Sequence, residues 1–559
     1  MQPTQPISLV QYRSPLWLIG PLADKELRVA SRQRKYYLLR FAYVCLLALV
    51  TLQFWYSVAR IGGGASAVAQ VARLGEVGKN AIMAIVWFQF VTAQVLATVL
   101  LSDAISSEVR QRTLEGLLVT PLGAIHIVFG KLLSKLLQVV LLLAISVPVL
   151  AVARVFGGVP WDYVVSGLCL TLSASVFAGA LSLFYSIVYR QAYHAVLAVA
   201  LWYAVVWGLL TLTMMSLSAA YLGPARATFV SSLLNPIAAL VGRTRAMVAP
   251  AGGPTALAPL WLPCLVLLFA SALVLLVSVR RVRRTAGALG RPSLRGPTTH
   301  RPGLRSLWAN PIRMSQTVRR VEGAPVVWKE LCTPLFQARR RAVFHLALWV
   351  GVIGLLLIGM VSFGRRTYGG VFLPIQLLEW LFLICLAVTA AGAITREKEA
   401  RTWPILLATP LDNREIVKGK AVAALQRNVA LLLPLSVLYL LVPSLGPGFM
   451  SMVQSSLYLL SMYVSLAGAT VFLLGLGLYL STRLKTTAAA VVATLALYFV
   501  PKFLSSHLLV PWFVLKGPKV LPGVRGAMLA MAFAFPVVFA GIGVSCLGAA
   551  VRRLRRNVF

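Results

Sequence analysis

Glu108 and Arg112, and 289 residues later Glu397 and Arg401, stand four apart in the acid-first order that pairs opposite charges along one helix face. Each pair leads into a polar passage, RTLEGLLVTPLGAIHIVFGK from Arg112 and RTWPILLATPLDNREIVKGK from Arg401. Charges in this pattern make ion pairs and protein contacts. Covalent chemistry has little to work with: no H-E-x-x-H, no G-x-S-x-G and no paired catalytic carboxylates occur. The Gly-Lys pairs at 78–79, 130–131 and 419–420 lack both the earlier glycine and the following Ser or Thr of a phosphate-binding loop, so the chain is not expected to hydrolyse ATP itself. The 6 cysteines are scattered singly, which gives no metal-ligand set and no disulfide framework.

The elements that position these charges must be membrane helices. Of 559 residues, 59% are hydrophobic and only 12% charged, against about a quarter charged in a soluble globule. About twelve apolar stretches are each long enough to cross roughly 30 Å of hydrocarbon. In the first half they lie near 39–59, 81–102, 132–156, 162–189, 193–220 and 260–279; in the second, near 343–363, 371–394, 421–442, 453–481, 487–504 and 528–551. The expected fold is an all-α polytopic membrane protein. The N-terminus does not read as a cleaved signal, because Arg13 and the basic cluster from Arg28 to Arg40 precede the first long apolar run.

A net charge of +39 invites a nucleic-acid reading, but the basic residues follow membrane topology. They gather before the first span, between spans two and three, between four and five, and after six, as cytoplasmic N- and C-termini predict. No nucleic-acid partner is expected. Outward segments carry some positive charge as well, at Arg226, Arg243, Arg245, Lys502, Lys516 and Lys519, but the VRRVRR and VRRLRR ends are denser and lie against spans. Between Arg280 and Arg341 fifteen Lys or Arg face two acids, with prolines at 292, 297, 302, 311 and 325. This reads as a cytoplasmic linker. Each of its charges gains roughly 1 kcal/mol beside anionic lipid.

The polar passage belongs to a duplication. From Ala104 to Lys131 against Ala393 to Lys420, fourteen of 28 positions are identical at one offset. Ala178-Gly179-Ala180 recurs at the same offset as Ala467-Gly468-Ala469, and upstream of each first span Lys25-Glu26-Leu27 matches Lys329-Glu330-Leu331. The halves are therefore parallel six-span repeats: 1–284, a basic Pro-rich linker at 285–324, then 325–559. Charged side chains at the bilayer centre would cost about 2.5–3.5 kcal/mol each, so Glu108, Arg112 and Glu115 must lie outside the hydrocarbon. Thr120-Pro121 and Thr409-Pro410 are expected to stop one helix and start the next, with Thr as N-cap, Pro at the first position and Asp412 at the third. The result is a helical hairpin between spans two and three, once per half. Seven of the fourteen acids fall in or beside these two segments, which marks them as contact surfaces.

These residues resemble the permease subunits of type-two ATP-binding-cassette exporters, over essentially the whole chain as two copies. The first half carries the pattern at Glu108, Arg112, Thr113, Leu114, Glu115, Leu117, Leu118, Thr120 and Pro121, with Lys25 and Glu26 in the element before span one. The second carries it at Glu397, Arg401, Thr402, Leu406, Leu407, Thr409 and Pro410, with Lys329 and Glu330 upstream. It departs at Trp403-Pro404, where the first half has Leu114-Glu115. The resemblance implies an amphipathic helix before span one and a coupling helix between spans two and three. That helix would seat in a separate ATPase, present in two copies and holding ATP and Mg, with room for accessory subunits. It also implies residence in the inner or plasma membrane. The small residues Ala174, Ala178, Gly179 and Ser182 of span four read as packing positions. Two other readings stay open: an ion-coupled transporter or channel, for which Glu379 near the middle of a span is the best candidate, and a membrane enzyme or scaffold. The substrate is not legible.

Overall fold

The computed structural model describes residues 28, 34–59, 67–110, 113, 123–157, 159–189, 191–208, 210, 223–248, 257–289, 324–332, 369–441, 452–514 and 521–554. Every regular element among them is helical, which is how a backbone in hydrocarbon satisfies its own polar groups. The first half contains α1 (Arg34–Ala59), α2 (Ala67–Ser102), α3 (Ser106–Arg110), α4 (Ala124–Gly157), α5 (Trp161–Val188), α6 (Ala192–Trp202, continued by a π turn Tyr203–Gly208), α7 (Gly223–Leu234), α8 (Pro236–Val248) and α9 (Trp261–Leu289). The second contains α10 (Pro325–Cys332), α11 (Gly369–Glu399), α12 (Trp403–Leu407), α13 (Asn413–Leu441), α14 (Met452–Arg483), α15 (Thr487–Val514) and α16 (Leu521–Arg553).

Among the described residues, 8 helices are long and apolar enough to cross a membrane. They are the second, third, fourth and sixth expected spans of each half. The first and fifth of the first half and the fifth of the second contain shorter apolar helices, at 40–49, 192–208 and 487–499. The expected span at 343–363 lies outside the described residues. Helix α2 begins at Ala67, well before the expected start at 81, so the segment with Arg73, Glu76 and Lys79 is a helical extension of span two rather than a loop.

The described residues fall into two compact units, one built on residues up to Val282 and the other on those after it, with 200–208 and 210 counted in the second and 499–514 in the first. In the first unit α2 is central and packs on α1, α4 and α5. In the second α11 takes the same place, packing on α13 and α14, while α10 packs on α13. The duplication is thus repeated in the packing. In the second unit α14 lies directly against α16. A Cβ at Gly475 would come within 1.9 Å of the Gly543 carbonyl oxygen, and one at Gly468 within 2.5 Å of the Pro536 carbonyl oxygen. Backbones this close need glycine, and dispersion contacts between them replace the hydrophobic drive that lipid does not supply.

Candidate functional site

The second hairpin is built from the end of α11, through α12, to the start of α13. It lies between the two candidate spans Leu378–Glu399 and Asn413–Leu440. Helix α11 closes with the Thr402 amide donating to the Glu397 carbonyl (2.9 Å) and the Arg401 amide to that of Lys398 (3.2 Å). Arg401, at φ 58, occupies the left-handed position that glycine usually fills at such an end. This corrects the expectation of a Glu397–Arg401 pair. The i,i+4 rule holds only while the helix continues, and here it has stopped.

Pro404 stands in the first turn of α12, where its missing amide costs nothing, so it begins a helix instead of breaking one. Trp403 and Leu406 are buried with Val326, Ile394, Ile416, Val417, Leu478 and Leu554. On the opposite side Pro404 is exposed and Ile405 is 68% exposed. The next helix does not begin at Thr409-Pro410. Those residues lie in a turn in which the Thr409 hydroxyl donates to the Leu406 carbonyl (2.6 Å). The cap is Asp412, whose Oδ1 accepts from the Asn413 amide (2.7 Å) while its own amide donates to Glu415 Oε2 (3.4 Å). A carboxylate at Asp412 with Glu415 three residues on out-competes the Thr-Pro start.

Beneath the hairpin lies a cluster of charges. Lys420 Nζ, its side chain fully buried, donates to Glu397 Oε1 (2.9 Å), Glu330 Oε1 (3.0 Å) and the Ala393 carbonyl (2.8 Å). Glu330 also meets Arg427 (3.3 Å) and Arg396 (3.8 Å), and Arg427 donates to the Glu330 carbonyl. Lys329 reaches Glu397 at 3.2 Å. Four cations and two carboxylates thus join α10, α11 and α13. Burial alone would raise the Glu330 carboxyl, but Lys420, Arg396 and Arg427 outweigh it and bring it down to about 2. Gly419 is small because Val326 of α10 lies against it: a Cβ there would approach to 2.8 Å. In the second half Gly419-Lys420 is therefore one device, glycine admitting α10 and lysine binding it.

Two further bonds tie span two to span three in the second half. Asn428 Nδ2 donates to Thr389 Oγ1 (3.0 Å) and the Tyr439 hydroxyl to Glu379 Oε2 (3.2 Å). Glu379 lies about 27 Å from Glu397 along α11 at 1.5 Å per residue. In the first half Glu108 pairs with Lys131 at 3.0 Å, the same two positions, and Thr113 donates to the Glu108 carboxylate. Ser146 Oγ bonds Gln89 Oε1 at 2.7 Å, again joining span two to span three. The polar pairs are exchanged between the repeats: Leu378 and Leu435 stand at the positions of Gln89 and Ser146, Phe90 and Leu150 at those of Glu379 and Tyr439.

The structure thus separates the expected residues. Arg401, Thr402 and Pro410 are exposed, Leu407 and Thr409 half-buried, and Glu397 and Leu406 buried. Lys25, Glu26, Arg112, Leu114, Glu115, Leu117, Leu118, Thr120 and Pro121 lie outside the described residues. Sequence reasoning missed Arg396, Arg427 and Lys420 as partners of Glu330. The signal for Lys420 was the Gly-Lys identity between halves; Arg396 and Arg427 left none, because the first half has Ser107 and Gln138 there.

Two units of apolar helices, each with spans two and three tied by a charged pair near the hairpin ends of those spans, define an integral multi-pass membrane protein. The chain belongs to the ABC-2 transporter family: the profile of the ABC-2 family transporter protein matches residues 21–284 and again 311–549. It is accordingly a permease component, the non-catalytic membrane part of an ATP-binding-cassette system. No curated protein matches the chain at a significant level.

Proposed function

We propose that the chain is the complete membrane unit of an ATP-driven exporter, with permease halves at 1–284 and 325–559 joined by the basic linker at 285–324. Two copies of a separate ATPase carry ATP and Mg. The observation behind this reading is the second hairpin, which exposes Ile405 and Pro404 while Trp403, Leu406 and the buried charges hold it from beneath. An exposed isoleucine on a rigid tip outside the apolar windows suits an apolar groove on a protein partner.

In this reading Arg401, Thr402, Ile405 and Pro410 touch the ATPase. Glu397 and Leu406 act from inside, by holding α12 in place. Glu108, Arg112, Thr113, Leu114, Glu115, Leu117, Leu118, Thr120 and Pro121 form the first-half counterpart. Closure of the ATPases shifts each span-two and span-three pair as one body, because buried bonds tie the two helices at both ends. The shift opens an outward path between the halves. Both termini and both hairpins are cytoplasmic, about twelve spans cross the membrane, and Glu379 serves as a tie to Tyr439 instead of an ion site.

The test is purification of the tagged chain from its native cells in mild detergent. An ATP-binding-cassette ATPase accompanies the wild-type chain, and Ile405→Asp reduces its recovery at unchanged expression. A wild-type chain that carries no such ATPase under these conditions overturns the proposal.

A further inference from the structure

Two residues at the end of α11, adjacent in sequence, reach the turn between spans four and five. Lys398 Nζ donates to three carbonyls at the end of α14, those of Ser481 (3.0 Å), Thr482 and Leu484 (3.4 Å). Glu399 Oε1 accepts from the amide of Thr487, the first residue of α15, at 2.7 Å. The signs match the helix ends. The last carbonyls of a helix lack intrahelical partners and carry the negative end of its dipole; the first amides carry the positive end. A cation sits on the first and an anion on the second, so one dipeptide closes both helices and binds their turn to span two.

The first-half sequence does not repeat this dipeptide. At the same offset it carries Val109, whose side chain cannot hydrogen-bond, and Arg110, whose charge is wrong for a helix N-terminus. Aromatic rings pack beside its turn between spans four and five. Tyr185 stacks on Tyr189 at 6.0 Å, Tyr189 meets His194 at 5.8 Å, and Tyr193 lies 3.9 Å from His194.

We infer that Lys398 and Glu399 are positioning residues that pass movement of the second hairpin to the turn between spans four and five. The inference rests on the reading of the hairpin as an ATPase contact.

The experiment is hydrogen exchange by mass spectrometry on the chain with its co-purified ATPase in nanodiscs, with and without ATP, Mg and vanadate. In the wild type, nucleotide changes exchange at 393–412 and at 478–490. In Lys398→Met/Glu399→Gln the change at 393–412 remains and that at 478–490 is lost, while Lys398→Arg retains both. A wild-type change at 393–412 that never reaches 478–490, or that reaches it equally in the double variant, overturns the inference alone. No wild-type change at 393–412 overturns the hairpin reading, and the inference with it.

Discussion

Arg401 is the non-glycine residue with positive φ among those described, and it stands where a helix end most readily takes glycine. A side chain in the left-handed region costs about 1–2 kcal/mol. The neighbouring Thr402 and Pro404 are exposed too, so the guanidinium is held at a surface that the proposed ATPase covers. Arg401→Gly is therefore expected to stabilise the isolated chain by about 1 kcal/mol while weakening recovery of the ATPase. Thermal unfolding in detergent and pull-down from the same preparation check both parts. A variant that is less stable, or that binds as before, contradicts this assignment. At this scale the sequence misled in one way. Four-residue spacing between Glu397 and Arg401 implied a pair because periodicity assumes an unbroken helix, and a chain reversal at a non-glycine residue leaves no mark in the residue types.

Helix α10 is 8 residues long and keeps its place through Glu330, Lys329 and Val326 rather than through its own hydrogen bonds, since an isolated helix of that length is marginal. Its attachment is accordingly sensitive to acid. The Glu330 carboxyl is pulled from its ordinary 4.5 to about 2 in the folded state, so the stabilisation it gives is fully present above about 4.5 and is lost as pH falls towards 2. The protection of the 325–332 amides, their exchange measured against the intrinsic rate at the same pH, is expected to fall over that interval. Glu330→Gln is less protected at neutral pH and shows no further loss of protection from this site on acidification. An acid profile identical in the two proteins contradicts the role given to Glu330. Much of this element was legible, because Lys329-Glu330 repeats Lys25-Glu26 and Gly419-Lys420 repeats Gly130-Lys131. What joins them was not. The contact of Glu330 with Lys420 spans ninety residues of chain, and its other partners, Arg396 and Arg427, have no counterpart in the first half.

For the whole molecule, the duplication and the all-helical membrane fold were legible because span length and a constant offset are properties of the chain itself. Spans two, three, four and six of both halves are strong by length and composition. Helices at the first and fifth positions run over Arg34–Ala59 and Thr487–Val514. The asymmetry between halves was visible only as Leu114-Glu115 against Trp403-Pro404. In the structure Trp403 faces inward, and Arg396 and Arg427, which the first-half sequence does not repeat, join the charges beneath hairpin two. The central claim is that this hairpin is where an ATPase docks. Its most direct test is a photo-crosslinking amino acid at 405, with a second at 437 as control, since Val437 is also exposed but lies towards the other end of the candidate span Asn413–Leu440. Activation in intact cells is expected to join residue 405, and not residue 437, to a protein identified by mass spectrometry as an ATP-binding-cassette ATPase. Crosslinks from 405 to lipid alone, or equal capture of the ATPase from both positions, would contradict the account.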